Sequence, residues 1–237
     1  MRILRALLTM TLVLGGAVSM TAAHAEPESE KAVTSFSDVP GNHTFTTEID
    51  FLAGTGITTG YSDGTFRPSQ PVLREQMAAF LFRLAEYYVG TIEVDLPPTS
   101  PFVDVSPSHA FYKEMVWLRG TGITTGYSDG TFRPGQPVLR EQMSAFLCRF
   151  DSGTPCTDLE VYGVEAQQVF FDVPPSHTFF NPVYFMAGVG ISTGYDDGTF
   201  RPAQPVLREQ MAAFLYRYDQ APTSESTLFE PEMMLAP

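Results

Sequence analysis

The sequence predicts a mainly α-helical protein made of three helix-loop-helix repeats that pack with pseudo-threefold symmetry. The first observation is an internal repeat: segment 54–83 recurs at 120–149 and 188–217, and the three copies agree at 24 of 30 positions. The second is an apolar stripe at helical spacing near the end of each copy. Two short helices cannot bury such a stripe alone, so we expect the three repeats to pack on one another.

The N-terminus predicts export. A basic start precedes an apolar run over 7–18, and Ala25 ends a small-x-small cleavage site. This pattern is typical of a secretory signal peptide, which we assign to 1–25, followed by a linker over 26–35. No later apolar run reaches the 18 to 20 residues or so that a membrane-spanning helix needs, so we expect no membrane span.

The charge argues against nucleic acid as a partner. The formal net charge is −13, and it becomes −15 when the two arginines of the signal peptide are removed. A surface this acidic repels nucleic acid and anionic lipid.

Each repeat is predicted as helix, loop, helix. In the first repeat, a short helix over 46–52 places Ile49 and Leu52 on one face. Asp63-Gly64 then marks a tight turn, since glycine supplies the positive φ that the turn needs. The second helix, over 73–85, places the following side chains on one stripe: Met77, Phe80, Leu81 and Leu84.

The repeat boundaries follow from the same alignment. Stretches rich in proline, glycine and serine separate the copies and are predicted as linkers or loosely docked ends. The repeats are assigned to 36–85, 102–150 and 170–218, the linkers to 86–101 and 151–169, and a flexible tail to 219–237.

The repeated motifs resemble those of a known family. Each copy contains F-x-D-V, a histidine, G-I-x-x-G-Y-x-D-G-T-F-R-P and P-V-x-R, in order, over residues 36–218. This arrangement resembles the S-layer homology (SLH) family. The resemblance implies a secreted protein held at the bacterial cell wall or surface, whose inter-repeat grooves bind a secondary cell-wall polysaccharide. The family's T-R-A-E motif, which carries the ligand-binding arginine, is L-R-E-Q here and matches Arg74, Arg140 and Arg208.

The arginines also suggest a site through their own chemistry. Nine of the twelve basic residues that follow the signal peptide occupy three repeated positions. A guanidinium group forks two hydrogen bonds onto a carboxylate or phosphate, which suits an anionic polysaccharide. Internal ion pairs are the alternative, and we favour them for the sets of Arg67 and Arg83. For the Arg74 set we expect ligand contact, so that replacement by alanine abolishes binding and leaves the melting point unchanged.

Two further sets are candidates for glycan binding, each with a structural alternative. The aspartates could contact sugar hydroxyls, or cap a helix or bind loop amides. The tyrosines could stack on sugar rings or pack under the loop. These candidates are Asp38, Asp104 and Asp172, and Tyr61, Tyr127 and Tyr195.

The two cysteines predict a disulfide. Cys148 and Cys156 lie eight residues apart across a stretch that can turn the chain back, in a protein predicted to be exported. Two free or separately buried thiols are the alternative.

No metal, cofactor or catalytic site is predicted. Three repeat-equivalent histidines invite a shared zinc site, but no recurring partners accompany them. The Asp-Gly loops offer too few oxygen ligands for calcium. The patterns of zinc proteases and phosphate-binding loops are absent from the sequence. The histidines are His43, His109 and His177.

The sequence therefore predicts a non-enzymatic module that binds a cell-wall polysaccharide of the anionic kind that arginine recognises. The alternative is a structural protein whose repeats pack between molecules in a surface layer. The repeats could also bind other surface proteins.

Overall fold

A computed structural model describes residues 36–152, residue 156 and residues 170–221. Within them the chain forms six α-helices, two in each repeat, and isolated backbone bridges in place of strands. The mainly helical fold is thus confirmed. The signal peptide, most of the second linker and most of the tail lie outside the described residues. The helices are α1 Thr46–Gly54, α2 Arg74–Val89, α3 Tyr112–Gly120, α4 Arg140–Ser152, α5 Phe180–Gly188 and α6 Arg208–Gln220.

The helix bounds follow the sequence pattern closely. Helix α1 continues two residues past the predicted end at Leu52, and α2 begins one residue after the predicted start. Helix α2 also extends to Val89, into the segment predicted as a linker. None of the helices within 36–152 and 170–221 combines the length and the apolar character that crossing a membrane requires.

The repeats are joined at the centre by a ring of backbone hydrogen bonds. Val138 N–H donates to Val72 O, Val206 N–H donates to Val138 O, and Val72 N–H donates to Val206 O, each at 2.9 Å. All three valines are fully buried. The ring closes from the third repeat back to the first, so the pseudo-threefold axis runs through it.

The second helix of each repeat begins on backbone supplied by the next repeat. In α2, the N–H groups of Arg74 and Glu75 donate to the carbonyls of Gln136 and Pro134, both at 3.0 Å. These are two of the donors that a helix N-terminus leaves without an internal partner. The side-chain oxygen of Gln76 accepts from the N–H of the residue before the helix at 3.2 Å. The neighbouring repeat thereby replaces a capping side chain.

The helices also pack in a cyclic order. Helix α3 packs on α2, α5 packs on α4, and α1 packs on α6. Each first helix therefore lies on the second helix of the preceding repeat, and the third repeat serves as the repeat before the first. The buried side chains of all three repeats form one continuous hydrophobic core.

The loop between the helices is built around a buried phenylalanine. In the first repeat, Phe66 is fully buried and its ring centroid lies 5.5 Å from that of Phe36. Gly60, at φ 67°, carries no side chain because a Cβ atom would overlap the Phe36 ring. The next residue after Phe66, Arg67, adopts φ 59°, which is costly for a side-chain-bearing residue.

Candidate functional site

The grooves between the repeats are the candidate site. A cavity of about 180 Å³ lies between the loop and second helix of the second repeat, and all three repeats contribute to its lining. We call it the first groove. Its main side chains are Arg74 from the first repeat, Tyr127, Gln142, Phe146 and Arg149 from the second, and Phe179 from the third.

The same residue types stand at the equivalent positions of the other two seams. We define the second groove by Arg140, Tyr195, Gln210, Phe214, Arg217 and Phe45. We define the third groove by Arg208, Tyr61, Gln76, Phe80, Arg83 and Phe111.

The arginine at the start of α2 is both part of the groove and part of the repeat interface. Arg74 is 3% exposed, and its Nε donates to the carbonyl of Phe132 at 2.7 Å. Its guanidinium carbon lies 4.9 Å from the ring centroid of Tyr127 and 5.4 Å from that of Phe146. Burial lowers the pKa of Arg74, which nevertheless stays protonated because an arginine starts so high.

This geometry contradicts the expectation of an arginine that serves the ligand alone. Arg140 and Arg208 are buried in the same way, and their Nε atoms donate to Phe200 O and Phe66 O. Removing any of the three would leave a buried carbonyl without its donor, so the melting point cannot be expected to stay unchanged.

A second arginine lies on the wall of the first groove. Arg149 donates from Nη1 to the carbonyl of Ile123 at 3.3 Å, within its own repeat. Burial lowers its pKa as well. The equivalent Arg83 and Arg217 make the same bond at 3.5 and 3.4 Å. Among the described residues, the contact is thus with a carbonyl, and not the internal ion pair that we favoured for the Arg83 set.

The first groove is electropositive in a strongly acidic protein. Its described lining contains the guanidinium groups of Arg74 and Arg149 and no carboxylate. Every other lining residue is neutral. Two partly desolvated cations without a lining anion favour a negatively charged group in the cavity.

The tyrosine set is held by the protein in a way that favours packing under the loop. The guanidinium carbon of Arg133 lies 3.8 Å from the centroid of the Tyr127 ring. The Tyr127 hydroxyl donates to Gln136 at 3.1 Å. Tyr61 and Tyr195 have equivalent contacts with Arg67 and Arg201.

The aspartate set binds loop amides, as its structural alternative proposed. The two carboxylate oxygens of Asp38 accept from the N–H groups of Phe66 and Arg67, both at 2.7 Å. This pair of hydrogen bonds holds Arg67 in its positive-φ conformation. Asp104 and Asp172 hold Arg133 and Arg201 in the same manner.

The predicted ion pair within the loop is present. Arg67 Nη2 lies 2.9 Å from Asp63 Oδ2. The equivalent pairs Arg133–Asp129 and Arg201–Asp197 are 3.0 Å long. Both partners are largely exposed, so the pair shapes the loop more than it stabilises the fold.

The histidines pair with glutamates of another repeat, a relationship that sequence reasoning missed. His109 Nε2 lies 3.3 Å from Glu75 Oε2, while its Nδ1 accepts the N–H of Phe111 at 3.1 Å. His43–Glu209 and His177–Glu141 repeat the arrangement at 3.3 and 3.6 Å. Within the described residues, no group of three or more His, Cys, Asp or Glu side chains is placed to hold a metal ion.

The family comparison agrees with the repeat motifs. A family model described as the S-layer homology domain matches residues 35–78, 101–144 and 170–212. The chain belongs to the S-layer homology family. The three matches confirm the three SLH repeats inferred from the sequence.

Three relatives are similar to this chain over part of their own lengths. Cell surface glycoprotein 1 of Acetivibrio thermocellus is 26% identical over 161 residues, 67% of this chain and 7% of the relative. An endoglucanase of Bacillus sp. strain KSM-635 is 28% identical over 232 residues, 98% of this chain and 23% of the relative. The cellulosome-anchoring protein of Acetivibrio thermocellus is 28% identical over 114 residues, 48% of this chain and 25% of the relative. This chain spans a quarter or less of each of their lengths.

The L-R-E-Q variant of the SLH motif has a structural explanation. Leu73 has no side chain able to cap α2, but the backbone of the second repeat binds the first two N–H groups of the helix. Glu75 pairs with His109 of that repeat, and Gln76 bonds the backbone of Leu73. Every position of the altered motif therefore contributes to the start of the helix or to the repeat interface.

The structure also brings the two cysteines of the chain together. Cys148 is fully buried in α4, and its Cα lies 6.1 Å from that of Cys156, to which it is joined as a disulfide. The bond attaches the start of the second linker to the helix that carries Arg149 and Phe146.

Proposed function

We propose that this SLH domain binds an anionic cell-wall polysaccharide non-covalently in its inter-repeat grooves, and that it does so without catalysis. The observation that carries the proposal is the pair of arginines in the first groove, Arg74 and Arg149, in a lining that is otherwise neutral. The protein as a whole carries a formal charge of −13, so two arginines in a neutral lining are a local excess of positive charge.

The energetics agree with short-range recognition. Physiological salt screens the repulsion between an acidic protein and an acidic polymer beyond about 8 Å. Inside a partly desolvated groove, a charge-assisted hydrogen bond contributes about 1.5 to 3 kcal/mol. Contacts in the groove can therefore outweigh the repulsion of the distant surface.

The names of the relatives support a place at the bacterial cell surface. One is a cell surface glycoprotein and another a cellulosome-anchoring protein. The endoglucanase is similar to this chain over less than a quarter of its own length, so the match gives no support for catalysis here. This protein is exported and holds to the wall through its SLH repeats.

Binding to purified walls tests the proposal. Three exposed threonines lie at the equivalent loop positions of the grooves: Thr59, Thr125 and Thr193. Changing all three to aspartate places a negative charge at each groove without disturbing a buried contact. We expect the parent protein to sediment with purified walls and the triple variant to stay in the supernatant.

The matched control adds the same three charges elsewhere. Ser62→Asp and Ser128→Asp reproduce the residue that the third repeat already carries as Asp196, and Thr99→Asp lies in the first linker. We expect this control to sediment like the parent. If the groove variant sediments as well as the control, the anion does not bind in the grooves and the proposal fails.

A structural role is a second candidate, favoured by two exposed apolar side chains. Val103 is 81% exposed and Phe171 is 80% exposed, at equivalent positions of two repeats. The first repeat has Ser37 at this position. In a surface layer these side chains would lie between molecules. Self-association of the purified protein without walls, lost on Val103→Ser and Phe171→Ser, would support this role; a monomer at all concentrations would exclude it.

A further inference from the structure

We propose that the Cys148–Cys156 disulfide is an oxidative lock on the interface between the second and third repeats. Each first helix packs on the second helix of the preceding repeat, and we call this contact a helix seam. In two helix seams a pair of aromatic rings fills the contact, and in the third the disulfide takes the place of one ring. The inference does not depend on the proposed function.

The first argument is the aromatic pair that two helix seams share. In the α2–α3 seam, the rings of Phe82 and Trp117 meet edge to face with their centroids 5.3 Å apart. In the α6–α1 seam, the rings of Tyr216 and Phe51 meet in the same way, also at 5.3 Å. Such pairs stabilise a contact beyond the apolar area that they bury. The two pairs stand at equivalent positions of the repeats, so a ring here is part of how a helix seam closes.

The second argument is what stands at these positions in the α4–α5 seam. Cys148 stands where the other second helices have Phe82 and Tyr216, while the partner helix keeps its ring as Phe185. A single cysteine side chain falls well short of an aromatic ring in volume, and protein interiors are close-packed. The disulfide adds the Cβ and Sγ atoms of Cys156, which packs against the hydrophobic core. The cystine thereby supplies bulk that the ring supplies elsewhere.

The third argument is the burial of this seam. Cys148 is fully buried and Phe185 is 1% exposed, whereas the equivalent Phe51 and Trp117 are only partly buried. The α4–α5 seam is thus covered at least as well as the other two, although its second helix contributes no ring at this position. Cys156 is partly buried. The disulfide therefore connects the buried part of the seam with its rim.

Oxidation closes the lock by thiol–disulfide exchange. The two cysteine thiols and one external disulfide give the protein disulfide and two external thiols, so two electrons pass to the oxidant. A protein predicted to be exported meets such oxidants outside the cytosol. In the reduced protein no covalent bond holds Cys156 beside Cys148, and the α4–α5 seam loses part of its filling. We expect this seam to open more readily than the other two when the protein is reduced.

Replacing the cystine by a ring tests the packing role. Cys148→Phe with Cys156→Ser restores an aromatic pair, and Cys148→Ala with Cys156→Ser is the matched control, because both variants lose the covalent bond. We expect the phenylalanine variant to melt about 5 °C or more above the alanine variant, since its ring refills a buried space. A ring forced into a site that does not fit it destabilises the fold. An equal or lower melting temperature for the phenylalanine variant would therefore overturn the proposal.

Hydrogen exchange of the parent protein provides a second test that needs no variant. Dithiothreitol reduces the bond to two thiols and itself becomes a cyclic disulfide. We expect the backbone amides of α5 to exchange roughly tenfold faster after reduction, with a much smaller change in α1 and α3, the first helices of the other seams. An equal acceleration in all three helices would mean that the disulfide acts only by restricting the unfolded chain, and the lock would be refuted.

Discussion

Arg208 Nε donates a 2.6 Å hydrogen bond to the carbonyl of Phe66, a residue 142 positions earlier in the chain. The same guanidinium group lies over the rings of Phe66 and Phe80, with its carbon 4.6 and 5.5 Å from their centroids. One side chain therefore joins the third repeat to the first and forms the base of the third groove. Under the proposed function, binding and stability are coupled at this residue.

Arg208→Ala should lower the free energy of unfolding by about 1.5 to 3 kcal/mol, because the buried carbonyl of Phe66 loses a charged donor. Arg208→Lys should restore little of it, since a lysine ammonium cannot reproduce both the Nε bond and the planar stacking. Urea unfolding measures the free energy of unfolding of both variants. The exposed Arg119 provides the control as Arg119→Ala. Equal stability of Arg208→Ala and the control would show that the inter-repeat bond contributes nothing.

Asp38→Asn should destabilise the first loop. The amide can accept one of the two backbone N–H groups, but its NH₂ faces the other, so a donor is left opposite a donor. We expect a loss of about 1 to 3 kcal/mol in the free energy of unfolding. Asp95→Asn, at an exposed site of the first linker, is the matched control. A change no larger than that of the control would refute the role assigned to Asp38.

The lowered pKa values of the loop carboxylates predict that the loops lose stability in acid. The hydroxyl of Thr65, followed by the guanidinium of Arg67, lowers the pKa of Asp63 from its ordinary 3.8 to about 2. Because the pKa is lowered on folding, the stabilisation is complete above about pH 4 and is lost as the pH falls towards 2. Asp129 and Asp197 behave alike, with pKa values of about 2.

An NMR titration of the Asp63 carboxyl group checks this directly. Thr65→Ala should raise the pKa of Asp63, since it removes the 2.5 Å hydroxyl bond. Thr99→Ala, in the linker, should leave the pKa of Asp63 unchanged. An unshifted titration in Thr65→Ala would show that the Thr65 hydroxyl does not lower the pKa of Asp63.

Reduction of the disulfide should lower the stability of the second repeat. A disulfide between residues eight apart stabilises the folded protein by about 2 to 3 kcal/mol, because it restricts the unfolded chain. We expect a lower unfolding midpoint after reduction, with helical signal retained at low denaturant. Labelling of thiols in the denatured, unreduced protein is the check on the bond itself. Two reactive thiols there would disprove the pairing.

The sequence alone predicts the elements of each repeat well, because their signals are local. The start of α2 was predicted to within one residue from the apolar stripe that the helix carries. An internal ion pair was favoured for the Arg67 set, and Arg67 pairs with Asp63, four residues earlier in the chain. Such contacts depend on residues near one another in the chain, and a repeated motif displays them three times.

The contacts between repeats could not be predicted in the same way. A threefold-repeated sequence does not tell whether Arg74 contacts the loop of its own copy or that of the next, since both loops read alike. The same ambiguity hid the pairing of His109 with Glu75. The unusual leucine before Arg74 was the available signal, because a helix without a capping side chain needs a partner from elsewhere.

The packing of α1 against α6 determines how the polypeptide must fold. The apolar face of α1, with the fully buried Ile49 and Leu52, meets its partner helix only after the last repeat is present. An open array of repeats can nucleate anywhere and propagate between neighbours. This closed ring instead depends on a contact between the two ends of the domain, which raises its contact order and slows its formation. Partial chains thus expose an apolar helix face, and the native state forms as one cooperative unit.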